Sequence, residues 1–109
     1  MYNLFERKKM NIKQSLNGTV LTLEVEGRLD TATAPQLEEV VKKEILTARD
    51  MILNLSKVEY ISSSGLRAVL IAHKLMTSVG GQLIVKSPSD FCKQVFAATG
   101  MDSALSIQE

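Results

Sequence analysis

The chain has 109 residues, 45% of them apolar and 23% charged, a balance that suits one globular domain with a single hydrophobic core. Thirteen basic against twelve acidic residues leave a net charge of +1, which argues against a dedicated nucleic-acid or membrane-surface binder, since both need concentrated positive charge. A single cysteine, Cys92, excludes an internal disulfide and fits a reducing cytoplasm, and no apolar run approaches the ~18 residues of a membrane span.

Residues 1–9 read as an N-terminal extension, charged at Arg7-Lys8-Lys9 and leading into no apolar signal-peptide region. Met10 is a candidate start of the folded unit, and Tyr2, Leu4 and Phe5 are the only apolar cluster before it. Ile12 to Leu16 and Thr19 to Glu26 read as strands joined at Asn17-Gly18, a dipeptide favoured where a hairpin needs positive φ. Leu21, Leu23 and Val25 share one face of the second strand by its period of two. Gly27 is expected to end that strand, with Arg28 to Thr31 as a connecting loop.

A helix is expected next. Thr33 with Gln36 three residues on fits a capping box, and Pro35 is tolerated in a first turn. Leu37, Val40, Val41 and Ile45 make its inward stripe, while Glu38–Lys42 and Glu39–Lys43 mark the solvent side. Met51 to Leu55 is nearly continuous apolar sequence, the pattern of a central strand covered on both faces.

Ser62-Ser63-Ser64-Gly65 opens a second helix, which runs to about Val79 and stops at Gly80-Gly81. Gln82 to Lys86 is another strand. Ser87 then caps a third helix with Pro88 at its first position, Asp90 at its third, and Phe91, Val95 and Ala98 inward beside Cys92 and Phe96. Gly100 ends that helix, and Ala104 to Gln108 is a candidate last strand. Strands that alternate with helices imply crossovers and a mostly parallel sheet. The expectation is a single α/β domain over residues 10–109, with a four- to five-stranded mixed sheet, an N-terminal hairpin and three to four helices.

The informative stretch is Val58 to Arg67, which follows the central strand and runs straight into a helix. One serine suffices for an N-cap, so three in succession need a further reason. The unpaired N–H groups of a first helical turn favour negative charge by ~0.3–1 kcal/mol when exposed. A phosphoserine there brings a charge of about −1.5 to −2 and three acceptor oxygens. The fold tolerates that group, whereas a partner pressed against the same spot has to desolvate it. Losing a buried contact in this way costs on the order of 2–5 kcal/mol, a weakening of roughly 30- to 4,000-fold.

Three segments resemble a known family: Gly27-Arg-Leu-Asp-Thr-Ala-Thr-Ala34, Met51-Ile-Leu-Asn-Leu-Ser56 and Tyr60-Ile-Ser-Ser-Ser-Gly-Leu-Arg67. In this order and spacing they are similar to the bacterial anti-sigma factor antagonists, which are STAS (sulfate transporter and anti-sigma factor antagonist) domains. The resemblance implies a partner switch. The unphosphorylated antagonist binds an anti-sigma factor that is also a serine/threonine kinase, a sigma factor is freed, and phosphorylation by that kinase with ATP ends the contact. A metal-dependent serine phosphatase restores the free hydroxyl. Laid onto this chain, the family motif makes Ser63 the phosphorylated residue, with Ser62 before it and Ser64 after it. Ser62 stands where the best-studied members carry Asp, and it is a competing acceptor.

The resemblance also matches Asp30 to the family's acidic residue after the second strand, against its alternative as a local turn or cap residue. Asp30, Thr31, Ser62, Ser63, Ser64, Gly65, Leu66, Arg67 and Leu70 form the expected partner-binding surface, with Gly65 allowing close approach of the partner's backbone. Helical spacing places Ala68, Ala72, Leu75, Met76 and Val79 inward, and Arg67 and Lys74 outward with Leu66 and Leu70 beside them. The alternative for those two leucines is that they flank a wide core stripe.

Rival chemistries find little support. One His and one Cys cannot supply a zinc set, and no cofactor or metal is expected. His73 lies ~13–15 Å along the same helix from the serines and cannot serve them as a base. His73 reads as a packing residue. The expectation is therefore a binding module and kinase substrate rather than an enzyme, monomeric and cytoplasmic, with no nucleic-acid partner. A second reading within the same fold is an accessory subunit of a lipid or anion transport complex at a membrane.

Overall fold

The computed structural model describes residues 10–109; the expected extension at residues 1–9 lies outside them. Five strands form one sheet: β1 (Asn11–Asn17), β2 (Val20–Leu29), β3 (Asp50–Ile61), β4 (Gln82–Lys86) and β5 (Ser106–Gln108). Three helices, α1 (Ala34–Glu44), α2 (Ser63–Ser78) and α3 (Asp90–Thr99), alternate with them, and a 3-10 turn (Met101–Ser103) precedes β5. Strand order follows chain order, with β1 antiparallel to β2 and every later pair parallel. The mixed α/β fold with its opening hairpin is the one the sequence implies.

Alternation of apolar side chains sets the layers. Leu21, Leu23 and Val25 of β2, Met51, Leu53 and Leu55 of β3, and Leu83 and Val85 of β4 are buried on one face. The helices supply Leu37 and Val41, Ala68, Val69, Ala72 and Met76, and Cys92 and Phe96 to the same core. Ile52, Asn54 and Ile84 on the opposite face are only half-buried. The expectation of a central strand covered on both faces is therefore corrected. Its apolar run reflects a central position in the sheet, not a second layer of helices.

Strand β2 does not end at Gly27. It continues to Leu29, with Gly27 at φ +109. Its pairing with β3 slips twice: Glu24 and Glu26 face Asn54 and Lys57, then Gly27 and Arg28 face Val58 and Tyr60. Each slip inserts one extra residue in β3, a β-bulge. This is why Leu55, Val58 and Ile61 are all buried although they stand three residues apart rather than two. The bulges deliver β3 to its last residue with an apolar side chain still facing the helices.

Two helix starts differ from expectation. The capping box of α1 does not form: Thr33 makes no side-chain cap bond, and Gln36 Nε2 donates instead to the Met10 carbonyl at 3.0 Å. The third helix begins two residues later than expected, capped by Ser89, whose hydroxyl accepts from Cys92 N at 3.3 Å. Ser87 N donates to Gln108 O at 2.7 Å, which keeps the segment beside β5, and Ser87 takes φ +50 before the chain can turn into a helix. Phe91 and Ala98 consequently face outward, and Cys92 and Phe96 fill the core.

Helix α2 buries the expected Ala68, Ala72 and Met76, but its buried stripe extends toward Gly65, Leu66 and Val69 rather than toward Val79. Gly65, Leu66, Ala68, Val69, Ala72 and Met76 are buried, Leu75 is partly so, and Val79 is 46% exposed as the C-cap. The helix packs on α1 as well as on β3 and β4, so its buried stripe is wider than a single sheet contact requires.

Candidate functional site

Each helix starts directly after a parallel strand, so all three N-termini gather at the carboxyl end of the sheet. Open α/β sheets present their binding crevices at this end. The loops between β2 and α1 and between β3 and α2 meet there. Ser62 N donates to Leu29 O at 3.0 Å, which fastens the start of α2 to the end of β2.

The close seating of α2 explains Gly65. A Cβ at this position would lie 2.3 Å from Leu29 O and 2.9 Å from Ile61 Cγ1. The expectation that Gly65 admits a partner's backbone is corrected: the backbone it admits is that of the chain's own β2. Leu66 is 8% exposed, so it too belongs to the core and not to the free surface. For this leucine the alternative of a wide core stripe applies.

The three serines divide by what their hydroxyls do. Ser62 is the N-cap, its Oγ accepting from Gly65 N at 3.3 Å. Ser64 Oγ lies 2.9 Å from Thr31 Oγ1, a bond across the two loops. Ser63, the first residue of the helix, is the exposed member of the three.

Asp30 works locally. Its Oδ1 accepts from Ala32 N at 3.0 Å and from Thr33 N at 3.2 Å, and its Oδ2 lies 3.5 Å from Arg28 Nε. Asp30 is thus the turn residue that starts α1, the arrangement usual for a short acidic side chain. Thr33 joins it, donating from Oγ1 to Arg28 O at 2.7 Å and accepting from Asp30 N at 2.9 Å. Together they give the β2–α1 loop a fixed shape, and that loop holds Thr31 against Ser64.

Arg67 is exposed one turn along α2, beside the serines. Leu70 is half-buried and lines a shallow groove with His73, Lys74, Thr77, Ser78 and Ala104, on the flank of α2 toward β5. His73 packs there with its Nδ1 buried and unpartnered among the described residues. The structure thus brings Thr31, Ser62, Ser63, Ser64 and Arg67 together at one accessible end, with Leu70 further along the helix.

One neighbouring cluster has no signal in the sequence. The Arg28 guanidinium lies 4.1 Å over the Tyr60 ring, whose centroid is 5.2 Å from that of Phe91. Arg28 and Tyr60 are register partners only because of the second bulge, and register is not readable from strand patterns alone. Among the described residues no group of three or more His, Cys, Asp or Glu could hold a metal ion, and no helix is long and apolar enough to cross a membrane.

The same fold recurs in known proteins. The STAS domain family matches residues 11–109. BtrV of Bordetella bronchiseptica, a putative anti-sigma factor antagonist, is 32% identical over 77 residues, 70% of this chain and 66% of BtrV, so the match spans just under two thirds of that relative. The anti-sigma-B factor antagonist of Staphylococcus aureus is 29% identical over 101 residues, 92% of this chain and 94% of its own. The anti-sigma factor antagonist SpoIIAA in its unphosphorylated form superposes with a TM-score of 0.72 at 19% identity, over 91% of this chain and 88% of SpoIIAA. The phosphorylated form of SpoIIAA, a cell fate determinant of Bacillus, gives 0.70 at 20% identity, over 89% and 90% of the two chains. At such identities the likeness to SpoIIAA is one of fold. The match across nearly all the described residues carries the assignment: the chain belongs to the STAS domain family.

Proposed function

We propose that this protein is an anti-sigma factor antagonist whose docking is switched by phosphorylation at Ser63. Its partner is a kinase-type anti-sigma factor in the cytoplasm, which binds the unphosphorylated form and so releases a sigma factor for transcription. The protein is then the phosphoryl acceptor and not a catalyst, and a metal-dependent serine phosphatase resets it. The name of the Staphylococcus aureus relative and the existence of SpoIIAA in phosphorylated and unphosphorylated forms support this reading.

The observation that carries it is the division of labour among the serines. Ser63 is exposed at the first position of α2, while the Ser62 and Ser64 hydroxyls are engaged by Gly65 N and Thr31. A phosphate on Ser63 sits at the positive end of the helix dipole, where the fold accepts it without rearrangement. A protein covering that end has to bury the dianion, which costs far more than the helix gains.

The test pairs two variants against the partner, recovered by pull-down and identified by mass spectrometry. Ser63→Ala binds constitutively, and Ser63→Asp loses roughly 30-fold or more in affinity. Equal binding by the two variants sinks the switch. Phosphate found on Ser62 alone after incubation with the partner and ATP moves the acceptor.

A further inference from the structure

Ser63 has a serine on either side, and a kinase that reaches one hydroxyl comes within a few ångströms of the others. Ser62 is restrained by its own helix, since its Oγ is the cap for Gly65 N. No such internal duty restrains Ser64. The residue that engages it comes from the other loop: Thr31 Oγ1, 2.9 Å from Ser64 Oγ. Thr31 is itself exposed, and the loop carrying it is shaped by the bonds of Asp30 and Thr33.

We propose that Thr31 is a specificity-determining residue that, by holding the Ser64 hydroxyl, confines phosphoryl transfer to Ser63. The inference rests on the phosphoacceptor role of Ser63 proposed above. In the transfer, Ser63 Oγ forms a bond to the γ-phosphorus of ATP as the bond from that phosphorus to the β,γ-bridging oxygen breaks. The hydroxyl proton passes to a base of the kinase, and ADP leaves. Ser64 can enter the same reaction only after its Oγ turns away from Thr31 toward the nucleotide. A neutral hydrogen bond of ordinary net strength corresponds to roughly a five-fold penalty on that rotation.

Thr31→Val removes the hydroxyl and keeps the branched shape. Two measurements follow. Side-chain NMR couplings are expected to show Ser64 in one rotamer in the parent protein and averaged over several in Thr31→Val. Incubation with ATP and the purified kinase-type partner, with the phosphorylated residue mapped by mass spectrometry, is expected to give Ser63 in the parent protein. In the Ser63→Ala background, Thr31→Val raises phosphate on Ser64 about five-fold, and Thr31→Ser restores the low level. If Thr31→Val leaves phosphate on Ser64 no higher than in the protein that keeps Thr31, or if the Ser64 rotamers are averaged in both, the role of Thr31 is overturned while the Ser63 switch stands. If the parent protein takes no phosphate on Ser63, both readings fall.

Discussion

The hydrogen that Gly65 carries in place of a side chain faces the Leu29 carbonyl, with room for nothing larger: a Cβ would come within 2.3 Å of that oxygen. The close neighbour is backbone, which cannot swing aside as a side-chain tip would. Gly65→Ala therefore has to push α2 away from β2. Overpacking of this kind costs about 1–3 kcal/mol, which lowers Tm by roughly 4 °C or more in a domain of this size. Urea denaturation checks it. The Ser62 N to Leu29 O bond should open at the same time, and its amide exchange should quicken.

Ser63→Asp is expected to leave the folded state intact or slightly stronger. A carboxylate in the first turn of α2, which has no acidic residue there, gains about 0.3–1 kcal/mol from the helix dipole. The gain shrinks in high salt, because the position is exposed. Thermal melts of Ser63→Asp and Ser63→Ala at low and high salt read it directly. A large loss of stability in Ser63→Asp would mean that its failure to bind reports unfolding rather than charge.

Ser62→Ala removes the cap on Gly65 N and is expected to cost about 1 kcal/mol, the usual loss for an N-cap. Ser62→Asp keeps an acceptor at the same place and is expected to recover most of that loss. Denaturant midpoints of the three proteins decide the matter. If Ser62→Ala is neutral, Ser62 is not restrained by the helix and has to be counted again as a competing acceptor.

Burial pushes the Cys92 thiol above its ordinary pKa, against the opposing pull of its hydrogen bonds to Ser89. A raised value means that the folded protein keeps its proton when the unfolded chain has lost it. The contribution is complete below the ordinary thiol pKa and is lost as pH rises through the higher folded value. Stability in urea should therefore decline above the ordinary thiol range. In Cys92→Ala, less stable at every pH because of the cavity, that part of the decline should be absent. Thiol alkylation at neutral pH is expected to proceed only as fast as the protein opens.

Much of this architecture is legible in the sequence because its cues are local. β4 follows its apolar alternation from Gln82 to Lys86, and α2 begins beside its serine cap. The start of the third helix is ambiguous because Ser87 and Ser89 are equally good caps, and the choice is made by a hydrogen bond to β5, which is distant in sequence. Leu66 and Val79 exchange their expected roles because the contact of α2 with α1 is a tertiary fact with no periodic signature. At the site, the serine run and Asp30 stand out by composition. The Thr31–Ser64 bond and the Arg28–Tyr60 stack need three dimensions.

The two bulges in β3 also act as a phase setting for everything downstream. Deleting Ser56, one of the residues between the paired positions Asn54 and Lys57, would remove the first bulge and leave a plain alternation in which Leu55 and Val58, then two positions apart, still share the buried face. Keeping Ser56 but pairing the strand without that bulge would instead turn Val58 toward water and Lys57 toward the helices, and everything after them would leave the sheet half a repeat out of phase. The orientation of Ser63 is thus decided partly by an irregularity seven residues earlier.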